Sequence, residues 1–268
     1  MGTLTFTGTG GIWEGSAGAA NVNINQDYAL AFDKTGTDDQ IQIDNTAHND
    51  ITTGDFSISF WMKKGEANKE ASIADIIKKR VDVDNYWSIA ITSSGNKLEF
   101  NGTKSTTNEI RIKTNTWTAH RNGDWNHYTL VVDRSSASDC KWYLNGVANP
   151  QGYAVQTVST NTITNSANMQ IVPVGDNTHI QLADVRIYSD VLDATTEIPV
   201  LASKINVDSS LGPGTANLVS WYKLNDVATG SGNVPDSSLN SNVGTVTFTD
   251  LAASKYNDAF SVNVHDAT

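Results

Sequence analysis

Cysteine is nearly missing from this 268-residue chain. Cys140 stands alone, so no intrachain disulfide and no zinc site of the CxxC type can form, and its place in a strand pattern reads as a small core residue. Charge is scarce too, at 18% of residues, and it is lopsided. Eighteen basic residues face twenty-nine acidic ones, a net charge of −11 that repels phosphate backbones and anionic lipid headgroups, so nucleic acid and membrane surfaces are excluded as expected partners. No run approaches the roughly 18 apolar residues of a membrane span. The opening Met1-Gly-Thr-Leu-Thr-Phe-Thr has neither a basic nor an apolar leader region, so the expectation is a chain without a secretory signal.

What fills the sequence instead is uncharged and polar. Thr (30), Asn (27), Ser (24) and Gly (20) favour turns and strand faces over helix interiors, which argues against a helical bundle. Apolar residues recur with period 2 in runs of five to eight, the pattern of half-buried antiparallel strands. In Phe56 to Met62, for example, Phe56, Ile58, Phe60 and Met62 share one face and Ser57, Ser59 and Trp61 the other. Similar runs are Asp39 to Asp44, Tyr86 to Thr92, Lys97 to Asn101, Glu109 to Lys113, Trp125 to Asp133, Cys140 to Leu144, Asn168 to Val174 and Gln181 to Tyr188. Turns at Ser93-Ser94-Gly95-Asn96 and Asn145-Gly146 join them where positive φ needs Gly or Asn. One short surface helix is expected after Asp193, running to about Lys204 and limited by Pro199.

Several segments carry a family resemblance. Tyr28-Ala-Leu-Ala-Phe-Asp33, Asp38-Asp-Gln-Ile-Gln-Ile43, Asp55-Phe-Ser-Ile-Ser-Phe-Trp61, Trp125-Asn-His-Tyr-Thr-Leu-Val-Val-Asp133, Lys141-Trp-Tyr-Leu-Asn-Gly146 and Ala183-Asp-Val-Arg-Ile-Tyr188 resemble, in order and spacing, the laminin G-like, concanavalin A-like lectin/glucanase superfamily. The resemblance implies an all-β fold, a two-sheet antiparallel jelly-roll sandwich, over residues 27–205. Residues 1–26 then form an N-terminal strand and Gly-rich loop, 206–217 a loop or linker, and 218–268 C-terminal strands. That tail departs from the family, because Leu218 to Asp226 looks like an opening strand yet comes last. It begins a truncated second unit, closes the same sandwich, or augments a neighbour; closure is favoured because an exposed strand bearing Trp221, Tyr222 and Leu224 invites aggregation. The echo between Gly2-Thr-Leu-Thr-Phe-Thr and Gly244-Thr-Val-Thr-Phe-Thr lets the two termini pair side by side.

Catalytic signatures are missing. The jelly-roll glucanases of the resembled superfamily use Glu-x-Asp-x-x-Glu on one strand, and none of the six glutamates here has an Asp two residues later. Glu99 and Glu109 read as solvated outward positions. The histidines lack zinc-hydrolase spacing, no Gly-x-Ser-x-Gly occurs, and His127, in the family's Trp-x-His position, reads as structural. No catalytic residue and no enzyme activity are expected.

Binding chemistry is better represented. Asp236, Asn240 and Asn242 form the densest oxygen cluster and are the candidate ligands for calcium, a cation that wants six to eight oxygens. Asp82 and Asp84, after Lys78-Lys79-Arg80, read as a solvated face. Glycan binding needs an exposed aromatic beside amides and carboxylates, and Trp117 with Asn115, Asn122 and Asp124 is the candidate; Trp61, Trp87, Trp142 and Trp221 are assigned to the core. The resulting expectation is a non-catalytic structural or adhesion subunit of a virion, fibre or capsid decoration, or other extracellular surface, partnered by other surface proteins, by itself as a homo-oligomer, or by a glycan. The resemblance extends to units of phage and other virion structural proteins. A free, calcium-dependent lectin-like module is the alternative.

Overall fold

In the computed structural model the described residues are 5–7, 12–14, 30–32, 40–64, 74–92, 97–114, 124–148, 153–172, 180–203, 215–224 and 233–247. The strands in chain order are β1 (Thr5–Thr7), β2 (Ile12–Glu14), β3 (Leu30–Phe32), β4 (Gln40–Ile43), β5 (Phe56–Lys64), β6 (Ala74–Asp82), β7 (Asn85–Ile91), β8 (Leu98–Lys104) and β9 (Thr107–Thr114). They continue as β10 (Trp125–Val132), β11 (Lys141–Leu144), β12 (Val147–Ala148), β13 (Tyr153–Val158), β14 (Met169–Ile171), β15 (Ile180–Tyr188), β16 (Leu218–Tyr222), β17 (Asn233–Val234) and β18 (Gly244–Thr247). A seven-stranded sheet runs β12-β11-β10-β5-β15-β16, with β3 also paired to β15, and a nine-stranded sheet runs β13-β9-β8-β7-β6-β14-β4-β18-β17. Every pairing between named strands is antiparallel, as an all-β jelly-roll sandwich requires. No helix among the described residues is long and apolar enough to cross a membrane.

Period 2 drives the two sheets together. Phe56, Ile58, Phe60 and Met62 of β5 and Trp87, Ile89 and Ile91 of β7 turn into one buried cluster with Phe100, Ile112, Tyr128, Trp142 and Tyr222. Trp142 donates its indole N–H to the carbonyl of Ile112 on the opposite sheet (3.3 Å), so its polar end is satisfied inside the core. Cys140 is fully buried, and burial pushes its thiol up to about 11. The turn at Asn145-Gly146 has φ of 49° and 81°, the geometry of a type I′ hairpin between β11 and β12.

The outer face of the seven-stranded sheet is covered as well. Ser57 and Ser59 are buried, and Tyr143, Tyr188, Leu192, Ile198, Leu201 and Trp221 form a second cluster there. The covering segment starts at Asp193, whose carboxylate accepts the N–H groups of Thr195 (2.8 Å) and Thr196 (2.7 Å), but the α-helix itself is short, α1 (Ile198–Leu201), because Pro199 fits only its first turn. Trp61 differs from its core assignment: it is half-buried on this outer face, with its ring 5.3 Å from that of His127.

Strand β6 was not anticipated, since Lys78-Lys79-Arg80 interrupts the alternation. Lys79 is fully buried rather than solvated: its stem occupies an inward slot and its ammonium donates to Asn45 (2.8 Å) and to Asp50, tying the loop after β4 onto the sheet. The C-terminal segments enter both sheets, β16 beside β15 and β18 beside β4. Among the described residues β1 pairs with β2, not with the C-terminal echo.

Candidate functional site

On the nine-stranded sheet the residues that alternate with the core point away from it, and the strand registers line them up. Thr157, Arg111, Asn101, Ser88, Lys78, Gln170, Gln42 and Thr245 are successive cross-strand partners, one from each of eight neighbouring strands. At about 4.8 Å per strand this polar row is roughly 34 Å long. Over β6, β7 and β8 it deepens into a groove of about 390 Å³, with Ser88, Ala90 and Glu99 on its floor and Arg80, Val83, Tyr86 and Thr92 around it. Small side chains at 88 and 90 give the depth, and Tyr86 supplies the aromatic surface.

Polar contacts hold these side chains in place. Asn101 donates from Nδ2 to the Tyr86 hydroxyl (2.8 Å), and the Arg80 guanidinium lies 5.5 Å from the centre of the Tyr86 ring. Arg111 grips Glu99 with two bonds, Nε to Oε1 at 2.9 Å and Nη2 to Oε2 at 3.3 Å; Lys78 pairs with Asp75 at 2.9 Å. Glu99 is therefore not a solvated carboxylate: it is 8% exposed and neutralised by Arg111. Glu109 is likewise buried, accepting from Ser159 and from Asn161 Nδ2 (2.9 Å), which tethers the chain leaving β13. The two differ in partners and serve to order the sheet and its loops.

Of the residues singled out from sequence for glycan binding, Asn115, Trp117 and Asn122 lie outside the described residues. Asp124 is exposed before β10, at the other sheet, where its carbonyl accepts from Asn126 (3.1 Å). The calcium candidates come together around the free edge of β16. Asp236 Oδ1 accepts the N–H groups of Trp221 and Ser238, both at 2.8 Å, and Oδ2 accepts Ser238 Oγ (2.8 Å) and the Asn242 N–H (2.9 Å). Asn240 donates to the Val219 carbonyl at 2.8 Å, and Asn242 accepts from Thr46 Oγ1 at 3.1 Å. The side chains of this loop thus supply the partners that a neighbouring strand would give β16, and they close a sheet edge otherwise open to pairing. Among the described residues no three His, Cys, Asp or Glu side chains gather closely enough to hold a metal ion.

His127 belongs to the framework. It is 1% exposed, and burial, aided by the Arg186 charge, lowers its pKa to about 3. A folded-state value below the ordinary 6.5 means that the unfolded chain binds the extra proton. Stability from this group is complete above pH 6.5 and falls on acidification toward pH 3, at about 1.4 kcal/mol per pH unit. Urea unfolding between pH 7 and pH 4 should show this slope, and His127→Gln should flatten it; an identical pH profile for the variant would contradict the assignment.

The sandwich and its edge-closing loop invite comparison with known proteins. A family model described as the concanavalin A-like lectin/glucanases superfamily matches residues 35–196. The chain belongs to that superfamily. A comparison with curated protein sequences gave no match. Among solved structures, a candidate carbohydrate-binding protein from Bacteroides ovatus is similar with a TM-score of 0.53 and 13% identity, over 82% of this chain and 57% of that one. The binding domain of Paraclostridial Mosquitocidal Protein 1 is similar with a TM-score of 0.48 and 17% identity, over 66% and 51%, and a heptameric pentraxin from Limulus polyphemus with 0.45 and 14%, over 66% and 82%. At these identities the likeness is one of fold. This chain spans 57% and 51% of the length of the first two.

The groove escaped the sequence reading for a definable reason. The outward positions of β7 and β8 were visible as a period, but which strands stand side by side, and in what register, is not encoded within either segment.

Proposed function

We propose that this superfamily member is a non-catalytic recognition domain that binds saccharide along the outer face of its nine-stranded sheet. The observation that carries the proposal is the groove over β6–β8, where Tyr86, Asn101 and Ser88 present an aromatic face, an amide and a hydroxyl side by side. Sugars offer the matching surfaces: an apolar ring face and a rim of hydroxyls. The fold shared with lectins supports the reading, as does the involvement of Glu99 and Glu109 in structural bonds instead of a catalytic pair. Adhesion at a virion or other extracellular surface is the setting we propose. Detection of the chain in purified particles by mass spectrometry supports that setting, and its confinement to the soluble fraction opposes it.

A glycan array probed with the wild-type chain and with Tyr86→Ala tests the site. Tyr86 is half-buried at the groove, so the variant is expected to fold with an unchanged far-UV spectrum and to lose at least tenfold in affinity for the glycans bound. Equal binding by the variant would remove the groove as the site.

A further inference from the structure

We propose that the side chains of Lys79 and Asn45 become joined by an isopeptide bond, with Asp50 as the base that moves the protons. The bond lies on the face of β6 opposite the groove. Lys79 is 0% exposed, and its cross-strand partners on either side, Trp87 on β7 and Met169 on β14, belong to the core. Its stem is thereby confined to an apolar slot and its amine is held away from water at the far end. Asn45 and Asp50 are the two acceptors of that amine, Asn45 through Oδ1 at 2.8 Å and Asp50 through Oδ1. A buried ion pair needs only the carboxylate; here an amide carbonyl stands beside it.

An amine therefore faces an acyl group. Because Oδ1 is one carbonyl bond from Cγ, the Asn45 carbon lies within about 4 Å of the Lys79 nitrogen, a short approach from the roughly 3–3.5 Å at which positioned groups react. Both partners are fixed from behind. The Asn45 N–H donates to Asn168 Oδ1 (2.9 Å) and Asn168 Nδ2 to Asp44 Oδ1 (3.3 Å), which pins this stretch to the start of β14. The 3-10 turn Ala47–Asn49 then returns Asp50 to the same nitrogen, with the Asp50 N–H donating to the Ala47 carbonyl (3.4 Å) and Asn49 Nδ2 to the Asp44 carbonyl (3.1 Å).

The step balances without an oxidant, a reductant or a cofactor. Asp50 takes a proton from the Lys79 ammonium, and the freed Nζ electron pair attacks Asn45 Cγ. Nζ–Cγ forms, Asp50 passes its proton to Nδ2, and Cγ–Nδ2 breaks. Ammonia departs with a second Nζ proton as ammonium, and Asp50 is again a carboxylate. Asn45 is exposed, so the leaving nitrogen passes directly into solvent. The product links β6 to the loop after β4 across the intervening β14, a covalent tie in a chain whose single cysteine allows no intrachain disulfide.

Intact-mass spectrometry of the full chain, followed by peptide mapping, is the test. The expected mass is about 17 Da below that of the sequence, the loss of one ammonia, with a branched peptide joining residues 45 and 79. Lys79→Arg, Asn45→Ala and Asp50→Ala are each expected to show the full mass of their sequences. Ring closure at an Asn-Gly step such as Asn145-Gly146 also releases ammonia, but Asn45→Ala leaves that loss in place. A wild-type chain of full mass would overturn the proposal, and so would a deficit that survives Asn45→Ala. A deficit that survives Asp50→Ala would overturn the role of Asp50 as the base. A loss of about 18 Da, one water, would place the bond at the Asp50 carboxyl and overturn the role of Asn45.

Discussion

A chain ending at Asn206 should not fold to a soluble monomer. The truncation removes β16, β17 and β18, and with them Trp221, Tyr222, Leu224 and Val234, each no more than 5% exposed. At roughly 1.5–3 kcal/mol for each large buried side chain, these four alone approach the 5–15 kcal/mol by which domains are stable. The remainder would carry two bare sheet edges, along β15 from Val185 to Tyr188 and along β4 from Gln40 to Ile43, where β16 and β18 now pair. It would also lose the Asp236 loop. Size-exclusion chromatography and thermal melting decide the matter: aggregation, or loss of a cooperative melt, is expected, and a soluble monomer of unchanged melting temperature would show that the tail is energetically independent.

Asp184→Ala should be among the most destabilising single substitutions in the chain. Asp184 sits where β15 shifts register against β5, at a φ of 55°, and is 2% exposed. Its Oδ1 accepts from Arg186 Nε and from Trp221 Nε1, both at 2.7 Å, and its Oδ2 accepts Arg186 Nη2 at 3.2 Å. The guanidinium of Arg186 lies 4.1 Å from the centre of the Trp221 ring. Burial works against the Arg186 charge, and Asp184 and Tyr188 together outweigh it. Alanine would take the carboxylate away from a buried guanidinium and a buried indole N–H, at a cost of about 3–5 kcal/mol. For a chain of this size that corresponds to a fall in melting temperature on the order of 6–20 °C. Asp184→Asn, which keeps an acceptor and drops the charge, should fall between. A change under 2 °C for Asp184→Ala would mean that Arg186 finds another partner.

Strand identity was legible wherever side chains obey their period. Phe56 to Met62 declares itself because Phe56, Ile58, Phe60 and Met62 alternate with Ser57, Ser59 and Trp61, and Trp125 to Val132 because Tyr128, Leu130 and Val132 keep the same period. Chemistry alone also spoke for Cys140 as an inert core residue and for Asn145-Gly146 as a hairpin turn. Strand β6 was hidden because Lys79 occupies an inward slot, a choice that makes sense only once Asn45 and Asp50 are close enough to receive its ammonium. The loop residues Asp236, Asn240 and Asn242 likewise take partners that only the fold brings near. Asp236 and Asn240 reach the backbone of β16 at Trp221 and Val219, and Asn242 meets Thr46 Oγ1 and Asp236.

The sequence by itself determined the material of this protein: an acidic, nearly cysteine-free, Thr- and Asn-rich chain of alternating strands in a lectin-like order. Those properties follow from composition and local periodicity, which each residue carries with it. The tertiary structure alone decided which strands are neighbours, that Thr157 through Thr245 form one row across eight strands, that Arg80 and Asn101 meet at Tyr86, and that Asp184 meets Trp221 from 37 residues away. Register between distant strands depends on the summed packing of both sheets, a quantity that no single segment contains.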